Sequence, residues 1–174
     1  MPEVLNNGLA LFFAWLFAVA ALYKFRAPRY YQLLLTSHMP GLPFKRSIPV
    51  MLGISELLIA ILVLWQPTRA AALTGAAVLL LTYAATMSWQ LRNGHADAAC
   101  GCSGPGSELL VSPALVARNL VCVALALLSM TAAPGPGTGF LSAVLSLLVA
   151  LVLISGYLLS ERLIGNAQFM NQDV

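Results

Sequence analysis

Residues Ala70–Leu91, AAALTGAAVLLLTYAATMSWQL, run without a charged side chain between Arg69 and Arg92. At 1.5 Å per residue, a helix of this length covers the roughly 30 Å hydrocarbon core of a bilayer. The apolar residues are continuous instead of alternating with polar ones, which argues against a strand of a membrane barrel. Four further runs share this character: Val4–Tyr23, Ile48–Trp65, Ala114–Thr131 and Phe140–Ser160. Between them lie proline- and glycine-marked connections: Pro28, Pro40, Pro43 and Pro49; Gln66-Pro67-Thr68-Arg69; Gly94 to Gly106; and Pro134-Gly135-Pro136-Gly137.

Composition points the same way. The 174 residues are 60% hydrophobic and only 9% charged, with a mean hydropathy of +0.86. A soluble domain carries about 25% charged residues, so this chain lacks the polar surface to cover a water-soluble globule. A soluble enzyme, a disordered linker and a nucleic-acid binder are excluded. The expected fold is an all-α polytopic membrane bundle of about five transmembrane helices, a four-helix core plus one, forming a single domain over residues 1–174 with membrane lipid as its surroundings. The helices are expected at approximately 4–23, 48–65, 70–91, 114–131 and 140–160. Trp15, Tyr23, Trp65, Trp89, Phe140 and Tyr157 are placed as an interfacial belt. The four-residue spacings Ala71/Gly75 and Ala72/Ala76 would let helix backbones approach closely.

The first run ends on Ala18-Val19-Ala20, which imitates a signal-peptide cleavage site. No Lys or Arg precedes it, however, and Lys24, Arg26 and Arg29 follow, so a retained helix is expected. If all five runs span, Lys24, Arg26, Arg29, Lys45, Arg46, Arg92 and Arg162 share one face with the third connection, and Arg69 stands alone opposite. The positive-inside rule makes that shared face cytoplasmic.

The densest chemical signal is Ala99-Cys100-Gly101-Cys102-Ser103-Gly104 in the third connection. Two cysteines around one glycine close a very small, strained disulfide ring, and strain makes such a bond readily reduced. The pair suits thiol–disulfide exchange better than it suits a structural staple. A metal reading stands beside this one, with Cys100, Cys102 and His95, and Asp97 as a fourth donor, forming a tetrahedral zinc site. Cys122, about nine residues into the fourth run, reads as a small apolar filler.

Ionisable groups inside the membrane are costly and point to function or to an internal pair. Glu56 sits deep in the second run, Arg118 lies near the start of the fourth with Asn119 beside it, and Lys24 closes the first. Their depths let Glu56 and Arg118 meet beneath the cysteine loop, with Lys24 as the competitor for Glu56.

Taken together, Lys24, Pro49, Glu56, Cys100-Gly101-Cys102-Ser103-Gly104 and Arg118-Asn119 resemble the MauE family of methylamine-utilisation membrane proteins, grouped with the DoxX/DoxD-like redox-associated proteins. The resemblance covers nearly the whole chain. Ser103 stands where the family usually carries Phe in a C-x-C-F-G loop, so an aromatic contact beside the cysteines is lost. The resemblance implies help with disulfide formation in exported proteins beside a thioredoxin-like partner, and so a Cys loop outside the cytoplasm, against the charge count. Architecture alone also resembles quinone-coupled disulfide-forming enzymes.

The expected function is therefore a thiol–disulfide oxidoreductase or redox accessory protein of the cytoplasmic membrane. Cys100 and Cys102 would pass electrons from a protein thiol to a membrane acceptor such as a quinone, above a polar group of Glu56, Arg118, Asn119 and Lys24. The alternative is a non-catalytic subunit packed against a larger membrane complex. A small transporter or metal-handling protein is a third reading.

Overall fold

The computed structural model describes residues 2–38, 47–94, 104, 109–131 and 139–172. These residues form an all-α bundle of α1 (Pro2–Arg26), α2 (Pro28–His38), α3 (Ile48–Leu62), α4 (Gln66–Arg92), α5 (Pro113–Thr131) and α6 (Phe140–Gln172). In lipid every backbone polar group must be satisfied within the protein, and a helix does this within its own segment. Proline opens or nearly opens five of the six helices (Pro2, Pro28, Pro49, Pro67 and Pro113), where its missing N–H removes no intrahelical bond.

The tight α3–α4 turn is closed by side chains. Thr68 Oγ1 donates to the Leu62 carbonyl at 2.7 Å and Arg69 Nε to the Val63 carbonyl at 3.1 Å, supplying partners to acceptors at the end of α3. Arg69 also donates to Asn7 Oδ1 at 2.8 Å, tying this turn to the start of α1.

The helices differ from the apolar runs in three places. The first connection contains α2, which the prolines had marked only as a break; Tyr31 on this helix is buried. α3 stops at Leu62, and its fifteen residues make it shorter than the other apolar helices. α6 continues to Gln172, twelve residues past Ser160, carrying Glu161, Arg162 and Gln168 on a continuous helix. Four helices, α1, α4, α5 and α6, are long and apolar enough to cross a membrane.

α1 packs along α3 and α6, α4 along α5, and α3 along α4, with further contacts between α1 and α5. The core consists of Phe12, Phe13 and Phe17 from α1, with Ile59, Val63, Leu73, Ala76, Leu80 and Ala126 around them. On α4 the buried line is Ala72, Ala76, Ala77, Leu80 and Ala84. Of the two small-residue pairs, Ala72/Ala76 therefore faces the bundle, while Ala71 is exposed. α6 lies on the outside: 11% of its most apolar stretch is buried, against 44% for α1. Trp65, Trp89 and Phe140 are exposed as a belt requires. Trp15 and Tyr157 instead meet edge to face within the bundle, with ring centroids 6.1 Å apart.

α1 and α6 approach closely at Gly8. A Cβ there would lie 2.6 Å from Val149 Cγ1 and 3.0 Å from the Ser146 carbonyl oxygen. Gly8→Ala should destabilise the protein by about 1–3 kcal/mol through overpacking. Adding Val149→Ala should recover most of that loss in thermal unfolding of the detergent-solubilised protein. A Gly8→Ala variant as stable as the parent would show that α6 does not seat there.

Candidate functional site

Among the described residues, two groups of buried charged side chains interrupt the apolar interior. The first is built on α1, α3 and α4. Lys24, in the last turn of α1, places Nζ 2.7 Å from Oε1 of Glu56. Tyr83 of α4 donates its hydroxyl to the same oxygen, also at 2.7 Å. Glu56 is fully buried and Lys24 is 7% exposed. The Lys24 ammonium also stands 5.4 Å from the Tyr31 ring centroid and 5.6 Å from that of Tyr83, so two aromatic faces add to the cation's stabilisation.

Gly53 makes this pairing feasible. It lies one turn before Glu56, and a Cβ there would approach the Phe25 ring to 3.1 Å and Lys24 Cβ to 3.4 Å. The absent side chain lets the end of α1 close onto α3. Glu56 Oε2 has no hydrogen-bond partner among the described residues.

The second group bridges α5 and α6. Arg118 places its guanidinium carbon 4.5 Å from the Tyr157 ring centroid and Nη1 3.8 Å from Glu161 Oε2. Its three guanidinium nitrogens are buried without a hydrogen-bond acceptor among the described residues, as is the hydroxyl of Ser112 just before α5. Asn119 is buried and directs Nδ2 toward Met87 Sδ at 4.0 Å. Cys122, one turn beyond Arg118, is buried in the core with a free thiol, consistent with an apolar filler.

The expected Glu56–Arg118 pair does not form. Lys24 takes Glu56, and Arg118 turns to Glu161. Depth in the membrane allowed either pairing; direction around the helix axis decided it, because Glu56 faces α1 and α4 while Arg118 faces α6. Glu161 lies one residue beyond the apolar run and carried no signal as an intramembrane partner. Tyr83 and Tyr157 were hidden for a similar reason, since an aromatic in an apolar run reads first as packing or interface.

Cys100, Cys102, His95 and Asp97 lie outside the described residues. The described residues flanking them are informative. Gly94 follows α4 with φ +75°, and Gly104 is buried with φ +84°. A Cβ on Gly104 would stand 3.0 Å from the ring of Tyr23, the neighbour of Lys24. Both the positive φ and the close ring contact require glycine here. Further along, Gln168 of α6 accepts from the Leu110 N–H at 3.0 Å and donates to the Leu110 carbonyl at 2.8 Å. Gly104 thus rests on the end of α1, and Leu110, just before α5, is held by the tail of α6.

An all-α bundle with four membrane-length helices, a lipid-exposed outer helix and charges paired in its interior defines an integral, multi-pass membrane protein. The family model for methylamine utilisation protein MauE matches residues 2–132. The methylamine utilization protein MauE of Paracoccus denitrificans is 35% identical over 129 residues, covering 73% of this chain and 69% of that protein. The chain belongs to the MauE family. No solved structure matches it.

Removing one partner of a buried ion pair leaves an uncompensated charge and costs about 3–5 kcal/mol. Lys24→Met should be destabilised by that amount, and Lys24→Met/Glu56→Leu should recover most of it. Glu56 and Arg118 should show no coupling in the corresponding double-mutant cycle. Unfolding in detergent checks both, and strong Glu56–Arg118 coupling would contradict the assigned pairs.

Proposed function

We propose that this chain is a membrane thiol–disulfide redox protein, acting in methylamine utilisation as its named relative does, in which Cys100 and Cys102 cycle between dithiol and disulfide. In the oxidising step the two thiols give up two electrons and two protons and form one S–S bond. A membrane quinone takes both electrons and both protons and becomes the hydroquinone. A thioredoxin-like or other thiol protein exchanges with the pair from the water side.

The observation that carries this reading is the seat of Gly104 on Tyr23. Gly104 follows Cys102 by two residues in the sequence and rests on Tyr23 at the end of α1, where Lys24 and Glu56 lock α1 to α3. In this reading Lys24, Glu56 and Tyr83 act as positioning residues that hold the Tyr23 ring under Gly104. A C-x-C ring is strained when closed, and strain makes the pair oxidising toward partner thiols.

Acid trapping followed by alkylation with a mass-tagged maleimide tests the cycle. The dithiothreitol-reduced protein should acquire a Cys100–Cys102 disulfide on addition of a short-chain quinone, and neither Cys100→Ser nor Cys102→Ser should do so. Full biological function with both cysteines changed to serine would instead favour a non-catalytic subunit of a larger membrane complex.

The same loop reports orientation. Arg26 and Arg29 are exposed, whereas Lys24 is consumed in the buried pair. Arg26, Arg29, Lys45, Arg46, Arg92 and Arg162 still outweigh Arg69, so the cysteine loop faces the cytoplasm of a bacterial inner membrane. An impermeant maleimide should label Cys100 and Cys102 in inverted vesicles and not in intact cells. Labelling in intact cells would place the loop outside, with exported proteins as the thiol partners.

A further inference from the structure

We propose that the Arg118 guanidinium is the docking point for a carbonyl oxygen of a membrane quinone head group, which enters between α5 and α6. The acceptor role of this site rests on the redox reading above; the binding site itself rests on the geometry around Arg118.

The Arg118 side chain is 7% exposed and none of its nitrogens has an acceptor among the described residues. A guanidinium carries five N–H donors, and burying donors without acceptors is among the more costly arrangements a protein can hold. The group therefore calls for an oxygen acceptor. Glu161 Oε2, at 3.8 Å, is too far for a hydrogen bond but close enough to offset the positive charge. A neutral carbonyl fits this setting better than a phosphate, which would add a second negative charge beside Glu161.

The surroundings favour a flat, lipid-soluble ring. Tyr157 covers the guanidinium at 4.5 Å and meets Phe12 and Trp15 edge to face, with centroids 6.2 and 6.1 Å away. The half-buried rings of Tyr157 and Trp15 offer edge contacts to a planar head group, with the buried Phe12 ring backing Tyr157. α6 packs along α1 and makes no comparable contact with α5 among the described residues. With α6 lying at the lipid-exposed edge of the bundle, a molecule diffusing in the bilayer reaches Arg118 laterally.

The test uses the full-length protein in detergent with Trp65→Phe and Trp89→Phe, which leaves Trp15 as its indole reporter. Decylubiquinone should quench Trp15 saturably, and Arg118→Met should weaken the apparent affinity about tenfold or more, as loss of a charge-assisted hydrogen bond requires. Arg118→Lys should fall between the two. On the otherwise unaltered protein, a photoreactive azidoquinone should label peptides of α1, α5 or α6, a readout that needs no Arg118 variant to fold. Labelling confined to other helices, unsaturable quenching, or equal affinity in folded Arg118→Met would overturn the proposal, as would saturable binding of phosphatidylglycerol in place of the quinone. Quenching should persist when Cys100 and Cys102 are both serine. Bound quinone that never oxidises the cysteines would defeat the redox reading and leave the docking site standing. Cysteines that cycle with a partner protein, without quinone quenching, would defeat the docking site alone.

Discussion

A lysine and a glutamate meeting at 2.7 Å inside an apolar bundle hold the end of α1 against α3. Neither charge tolerates the hydrocarbon core alone, so the end of α1 has to close onto α3, and Gly53 removes the side chain that would obstruct it. Tyr83 adds a third helix to the same carboxylate oxygen. Such a pair is a weak source of net stability, because desolvation offsets much of its attraction. Its effect is geometric: it fixes the rotation of α1, and Tyr23, the preceding residue, then presents the ring on which Gly104 rests.

Arg118 follows a different logic. It pairs at a distance with Glu161 and stacks on Tyr157, so its charge is offset while its N–H groups stay unsatisfied. The Lys24 group resembles a closed structural joint, and the Arg118 group resembles an open receptor for an acceptor oxygen. Both lie toward the same end of the bundle: Lys24 is in the last turn of α1, Arg118 is near the start of α5, and Glu161 lies on the continuation of α6 past the apolar run.

The fold was legible in the sequence because bilayer thickness imposes a length on every apolar run, and an uncharged stretch as long as Ala70–Leu91 fits a membrane span far better than a soluble core. Family membership was legible because the cysteines and the helix-borne charges occur together. What stayed hidden was rotational. A bundle without a strong polar face gives little information on which way Glu56 points, and the choice between Lys24 and Arg118 was made by the close packing of α1 on α3 at Gly53. The α2 helix was masked by its flanking prolines, and the length of α6 by a polar composition that resembles a tail. The role of Gly104 also needed the structure, since a glycine in a glycine-rich loop does not reveal that a tyrosine ring lies against it.

We propose that the Lys24–Glu56 pair tunes Cys100 and Cys102 through the end of α1, where Tyr23 meets Gly104. The most direct measurement is the reduction potential of Cys100–Cys102 in the parent protein and in Lys24→Met/Glu56→Leu, which replaces the pair with apolar side chains without stranding a charge. Equilibration against glutathione buffers, read by maleimide mass tagging, gives both values. The expected result is a shift of about 30 mV or more, a tenfold change in the thiol–disulfide equilibrium, in a protein that remains folded. Equal potentials in the two folded proteins would contradict it.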